Sequence, residues 1–189
     1  ESRDLREIST LKSLGYEVIV LAKSTEKEVS DRGIYTIRLS SRPLSIGGRG
    51  GVFINRLVSI YLWQKKIREL KPEIISCHDI ICLFIGWLST IWTKNKGKLV
   101  YDSHEFEAGR NVKRNRLQKS LILLSERFLI RKAAMTIVVS DTIADELFKI
   151  HRLKDRPVVV RNIPQYWNLL SDTINNNRLQ FREANQLPD

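Results

Sequence analysis

Lys71-Pro72-Glu73-Ile74-Ile75-Ser76-Cys77-His78-Asp79, together with the run from Ile80 to Trp92 behind it, decides the fold class. Lys71-Pro72 stops a preceding helix, because the residue before a proline is driven out of the helical region. Ile74-Ile75-Ser76-Cys77 is a short apolar run that reads as a buried strand. His78-Asp79 is an abrupt polar turn. Ile80 to Trp92 is apolar throughout, yet shorter than the about 20 residues of a membrane span. His78 and Asp79 block its extension upstream, and Lys94 and Lys96 block it downstream, so it reads as a buried helix. Strand, polar strand end and helix in that order make one unit of a parallel α/β sheet.

The unit repeats in both directions. Upstream, Leu5, Ile8, Leu11 and Leu14 recur at helical spacing and Gly15 ends that helix. Val18 to Ala22 and Ile34 to Leu39 read as strands. A loop with Pro43 and Gly47-Gly48-Arg49-Gly50-Gly51 follows, and then a long helix marked by Phe53, Leu57, Ile60, Tyr61, Ile67 and Leu70. Downstream, the spacing predicts strands at Leu99 to Tyr101, Thr136 to Val139 and Pro157 to Val160, and helices at Leu117 to Lys132 and from Asp141 to about Ile150. The expected architecture is a Rossmann-like, doubly wound parallel sheet with helices on both faces. Residues 1–164 form one α/β domain. Residues 165–189, with the turn-prone Ser171-Asp172-Thr173-Ile174-Asn175-Asn176-Asn177, read as a linker or crossover. Since the chain opens on a helix, the first strand is expected upstream of Glu1.

The 189 residues are 42% hydrophobic, enough for a compact core. Lys and Arg number 32 against 21 acids, a formal charge of +11, which calls for an anionic partner: nucleic acid, anionic lipid or a phosphorylated ligand. Cys77 and Cys82 lack zinc-site spacing and read as reduced core thiols, which fits a reducing cytosol. Glu1-Ser2-Arg3-Asp4 is charged, with no apolar run behind it, and does not read as a signal peptide.

In parallel α/β sheets, ligands bind beyond the carboxyl ends of the strands. Lys23-Ser24, Ser40-Ser41, His78-Asp79, Asp102-Ser103-His104-Glu105, Ser140-Asp141 and Arg161-Asn162 occupy those positions, and all are polar. Four stretches here resemble the amino-terminal domain of the family 4 glycosyltransferases, enzymes of the GT-B architecture with two facing Rossmann-like domains. They are Arg3 to Val18, Lys71 to Asp79, Val100-Tyr101-Asp102-Ser103-His104-Glu105, and Ala133 to Ser140 followed by Val158-Val159-Val160-Arg161-Asn162-Ile163-Pro164. They come in the family's order and cover nearly the whole chain. The resemblance makes this chain the acceptor-side half of such an enzyme. The donor half, with its Glu-x7-Glu-type motif, has no counterpart here.

The resemblance implies a catalytic role for His104, whose ring and backbone carbonyl would hold the donor sugar as positive charge develops at the anomeric carbon. An imidazole suits this because it donates a hydrogen bond near neutral pH. Asp102 and Glu105 flank it and are assigned to orienting His104 or binding acceptor hydroxyls. The plainer alternatives are a histidine satisfied by Asp102 or Glu105, and an Asp102 that caps the following turn. His78 and Asp79 on the adjacent strand, with Arg110 and Lys113 after the Asp-Ser-His-Glu segment, are expected at the acceptor. Ser140, Arg161 and Asn162 would face the interdomain cleft, with N-capping as the alternative for Ser140. No metal site is expected, and no cofactor beyond the nucleotide-sugar donor, which is a substrate.

The glycine run at 47–51 lacks a following Gly-Lys-Ser/Thr and reads as a mobile loop rather than a phosphate cradle. Arg56, Trp63, Lys65, Lys66 and Arg68 on the long helix suit an anionic membrane surface. The resulting expectation is a retaining, metal-independent glycosyltransferase on the inner face of the plasma membrane. It would move a sugar from a nucleotide donor to a glycan acceptor, carried on polyprenyl diphosphate, in bacterial surface polysaccharide or O-antigen synthesis. The alternatives are a basic nucleic-acid-binding module and another nucleotide-binding Rossmann-like module. No RNP, helix-turn-helix or zinc pattern supports the first, and the absent glycine fingerprint counts against the second.

Overall fold

The structure is a computed structural model and describes residues 3–23, 34–40, 44, 47–91, 97–103, 116–163, 180 and 182. Helix and strand alternate: α1 (Arg3–Ser13), β1 (Ile19–Lys23), β2 (Tyr35–Leu39), α2 (Gly48–Leu70), β3 (Ile74–Cys77), α3 (Ile80–Thr90), β4 (Lys98–Ser103), α4 (Arg116–Ile130), β5 (Met135–Val138), α5 (Asp141–His151) and β6 (Val158–Val159). Every strand pairing is parallel. β1 and β2 form one pair, and β3-β4-β5-β6 form a four-stranded sheet in chain order. The α/β class and the parallel pairing expected from the sequence are present.

The register fixes which residues share a face. Ile75, Leu99, Cys77, Tyr101 and Val138 lie on one side, and that side carries the core with Leu83, Leu129, Ile130, Ala144 and Leu147 from α3, α4 and α5. Gly86 lets α3 approach this face closely: a Cβ there would stand 2.9 Å from Cys77 Sγ and 3.1 Å from a Leu99 methyl. Ser76, Val100, Asp102 and Ile137 lie on the other side, in register across β3, β4 and β5. α1 reaches that side, where Glu7 meets the Ser76 hydroxyl at 3.5 Å.

Two boundaries differ from the sequence reading. The glycine run is not a loop: Gly48 to Gly51 form the first turn of α2. Buried Asn55 explains it, since its amide donates to the Gly51 carbonyl (2.8 Å) and accepts from the Leu44 N–H (3.0 Å). β4 runs on through Asp102 and Ser103, which pair in register with Ile137 and Val138. The turn-cap alternative for Asp102 is therefore replaced by a strand position.

Burial sets the chemistry of the two cysteines. Burial, and then the neighbouring Cys82 and Asp79, push the Cys77 thiol up to about 12. Burial and then Asp79 push Cys82 up to about 12 as well. A rise from 9.0 to about 12 lowers the thiolate fraction near pH 8 by about a thousandfold. Both thiols are expected to react with a disulfide reagent in guanidinium and to resist it in native buffer. Rapid labelling of the folded chain would contradict this.

Candidate active site at the carboxyl edge of the sheet

The carboxyl ends of β3, β4 and β6 converge on Asp102. Its side chain is 1% exposed, a costly position for an ionised group unless it is paired. Arg3 supplies the pair from α1: Nη2 donates to Asp102 Oδ1 at 2.9 Å and Nε to Oδ2 at 3.2 Å. This is the bidentate fork in which a guanidinium matches a carboxylate. The remaining Arg3 nitrogen donates to the Val160 carbonyl at 2.9 Å. One turn on, Arg6 donates to the Ile163 carbonyl at 2.8 Å and to the Asn162 side-chain oxygen. Two arginines of one helix thus tie the end of β4 to the segment after β6.

His78, just past β3, completes the group. Its Nδ1 stands 3.7 Å from Asp102 Oδ2 and 3.9 Å from Asp4 Oδ1. Glu7, His78 and Asp102 bring one ligand atom each within 4.8 Å of one another. Arg3 engages both Asp102 oxygens, so a cation held by this group would lie close to a guanidinium.

The other expected residues take distinct positions. Asp79 is the N-cap of α3, accepting from the Cys82 N–H at 2.6 Å. Ser140 caps α5, accepting from the Ile143 N–H at 3.3 Å. Arg161 is exposed and donates to Asp141 Oδ2 at 3.1 Å, while Arg156 bridges Asp141 Oδ1 (3.1 Å) and Asp145 Oδ1 (2.8 Å). Arg156 first, and then Arg161, hold the Asp141 carboxyl below its usual range. His104, Glu105, Arg110 and Lys113 lie outside the described residues. On α2, Arg56 and Lys65 are exposed, Trp63 is half-buried and Lys66 pairs with Glu69 at 3.5 Å. Arg68 is engaged elsewhere, donating to the Leu88, Ser89 and Ile91 carbonyls at 2.9, 3.3 and 3.3 Å, where it caps the end of α3.

The structure brings together Asp102, His78 and Asn162, and adds Arg3, Asp4, Arg6 and Glu7, which the sequence did not mark. Nothing local to Arg3 signals its partner, since Asp102 lies 99 positions away. The family model for glycosyltransferase family 4 matches residues 5–163. The chain belongs to that family. In structure it is similar to sucrose-phosphate synthase from Thermosynechococcus elongatus, with a TM-score of 0.68 and 14% identity, over 100% of this chain and 48% of the synthase. A second structure of that synthase matches at a TM-score of 0.55 and 14% identity, over 95% of this chain and 93% of the other. Likeness at this identity concerns the fold, and it is a GT-B fold. The chain spans about half the length of the synthase in the first match. No curated protein matches the sequence. Membership of this family displaces the nucleic-acid-binding and general nucleotide-binding alternatives.

Proposed function

We propose that this domain forms the acceptor side of a retaining glycosyltransferase that takes a sugar from a nucleotide-sugar donor. The observation that carries the proposal is the buried Asp102 carboxylate, clamped by Arg3 beside His78 at the carboxyl edge of the sheet of a family 4 chain. His104 follows directly on buried Ser103, so the fixed end of β4 sets where the segment Ser103-His104-Glu105 begins. In this mechanism Asp102 and Arg3 hold that strand end, His78 meets an acceptor hydroxyl, and His104 stabilises positive charge developing on the donor sugar. Arg110, Lys113 and Glu105 attend the acceptor, and Ser140, Arg161 and Asn162 line the cleft.

The acceptor we favour is a glycan on a polyprenyl diphosphate, as used in bacterial surface polysaccharide or O-antigen synthesis. The formal charge of +11 supports an acceptor that carries phosphate and sits in an anionic membrane. The enzyme would work on the cytoplasmic face of the plasma membrane, with no cofactor and no metal. The Arg3 guanidinium on both Asp102 oxygens supports metal independence, because a cation placed there meets a fixed positive charge.

The test is transfer of radiolabelled nucleotide sugar to membrane lipid extract by the full-length polypeptide that carries this domain. Label is expected in the organic phase, in undiminished yield with a chelator present, and the product should keep the anomeric configuration of the donor. Transfer only to water-soluble acceptors would overturn the lipid-linked acceptor. Loss of transfer on chelation would overturn metal independence.

A further inference from the structure

α2 presents a ridge of large apolar side chains to solvent. Phe53, Leu57 and Tyr61 are 62%, 51% and 56% exposed, and they follow one another at four-residue spacing, so they lie along one side of the helix. Lys65, four residues on, continues the same line and is exposed, and Arg56 is exposed beside it. Val52 and Ile54 widen the apolar part. Single exposed hydrophobic residues need no explanation, but a contiguous row on one helix marks a contact surface.

Its position in the fold is informative. α2 follows the carboxyl end of β2, and its last turn delivers the chain to the start of β3. Its first turns therefore lie towards the carboxyl edge, the edge that holds His78 and Asp102. At about 1.5 Å per residue the helix is about 34 Å long, and a strand the length of β3 or β4 spans about 13–20 Å. The apolar ridge occupies the half of α2 nearer the site, and the basic residues Lys65 and Lys66 come after it.

We infer that this ridge inserts into the headgroup region of an anionic bilayer and holds the carboxyl edge of the sheet against the membrane. Charge complementarity selects the occupant. α2 carries Arg49, Arg56, Lys65, Lys66 and Arg68 against Glu69 alone, on a chain of formal charge +11. Apolar side chains flanked by lysine and arginine match a surface of acyl chains beneath anionic headgroups. Arg68 caps α3 and Lys66 pairs with Glu69, so the basic part of the contact rests on Arg56 and Lys65. The inference deepens the membrane part of the proposed function.

The test is flotation of the chain with vesicles of phosphatidylcholine alone and of phosphatidylcholine with 30% phosphatidylglycerol, at about 0.15 M and 1 M salt. The chain is expected to float with the anionic vesicles, with a fraction that resists 1 M salt because it is held by apolar contact. F53S/L57S/Y61S should lower partitioning by about tenfold or more and abolish the salt-resistant fraction. R56E/K65E should lose binding mainly at low salt. The side chains changed are exposed, and an unchanged melting temperature confirms that the fold survives. Equal flotation of F53S/L57S/Y61S and wild type would overturn the inference. So would equal binding to neutral vesicles, or a wild-type dimer that dissociates in F53S/L57S/Y61S, which would make the ridge a contact between copies. No sugar donor enters the assay, so its failure leaves the transferase proposal standing, and failed transfer leaves the ridge standing.

Discussion

Glu126→Ala is expected to lower the stability of the domain by about 3–5 kcal/mol, because it removes one partner of a fully buried polar pair. Glu126 on α4 and His151 at the end of α5 are both 0% exposed, with His151 Nε2 3.4 Å from Glu126 Oε2. The Tyr101 hydroxyl donates to Glu126 Oε1 at 3.5 Å, a long bond from a side chain that is itself 1% exposed. Among the described residues, Glu126 Oε2 and both His151 ring nitrogens have no well-formed hydrogen bond. The pair is thus satisfied mainly by mutual proximity, and each member is costly without the other. Removing the carboxylate leaves the imidazole without its partner beside a new cavity and takes one hydrogen-bond acceptor from the Tyr101 hydroxyl. For a chain of this size the melting temperature should fall by roughly 10 °C. His151→Ala should do the same. The double variant Glu126→Leu/His151→Leu should recover most of the loss, since a buried pair replaced by apolar groups is commonly near neutral. Thermal denaturation of the three variants decides it. Single variants within about 1 kcal/mol of wild type would show that the pair relaxes around its loss.

The pair bears on the site through β4. Tyr101 and Asp102 are adjacent but point to opposite faces, one into the core with Glu126, the other towards Arg3. One strand therefore carries a buried polar contact on each side just before Ser103-His104. Destabilisation at Glu126 should reach Asp102 and Ser103 through this strand end and little through the α1 contacts.

The order of helices and strands was readable from the sequence, because apolar runs such as Ile74-Ile75-Ser76-Cys77 and stops such as Lys71-Pro72 act locally. What failed to read depends on distant partners. For Asp102 the sequence offered orienting His104, binding acceptor hydroxyls or capping the following turn, and gave no sign of a buried strand position paired with an arginine. Arg3 makes the strand position tolerable, and no local pattern announces an arginine 99 positions away. The glycine run looked like a loop because glycine disfavours helix. The Asn55 side chain, bonded to the Gly51 carbonyl and the Leu44 N–H, fixes it as a helical turn. Asp79 and Ser140 did read locally, since each sits just before an apolar helix and caps it. The exposed ridge on α2 did not read for a different reason: helical periodicity marks Phe53, Leu57 and Tyr61 as one stripe of the helix, and only the fold shows that all three are exposed. His104 stood out in the sequence by position and resemblance, and it lies outside the described residues.

Asp102→Leu in the full-length transferase is expected to lower turnover by about 10²–10³-fold, the range seen when a preorganised polar group of an active site is lost. The carboxylate does two things at once. It anchors Arg3 through two bonds, and it sits 3.7 Å from His78 Nδ1, where it bears on how that ring is oriented. Stability and catalysis can be separated through Arg3. Arg3→Met alone removes the bidentate partner of a carboxylate that is 1% exposed, so the melting temperature should fall. Asp102→Leu alone strands a guanidinium that is 14% exposed and still bonds the Val160 carbonyl, so its thermal cost should be smaller. The double variant Arg3→Met/Asp102→Leu removes both charges together and should melt closer to wild type than Arg3→Met does. If Asp102 is needed at the site, turnover in the double variant stays low although the fold has recovered. If Asp102 serves only to hold α1 against the sheet, turnover recovers with the melting temperature.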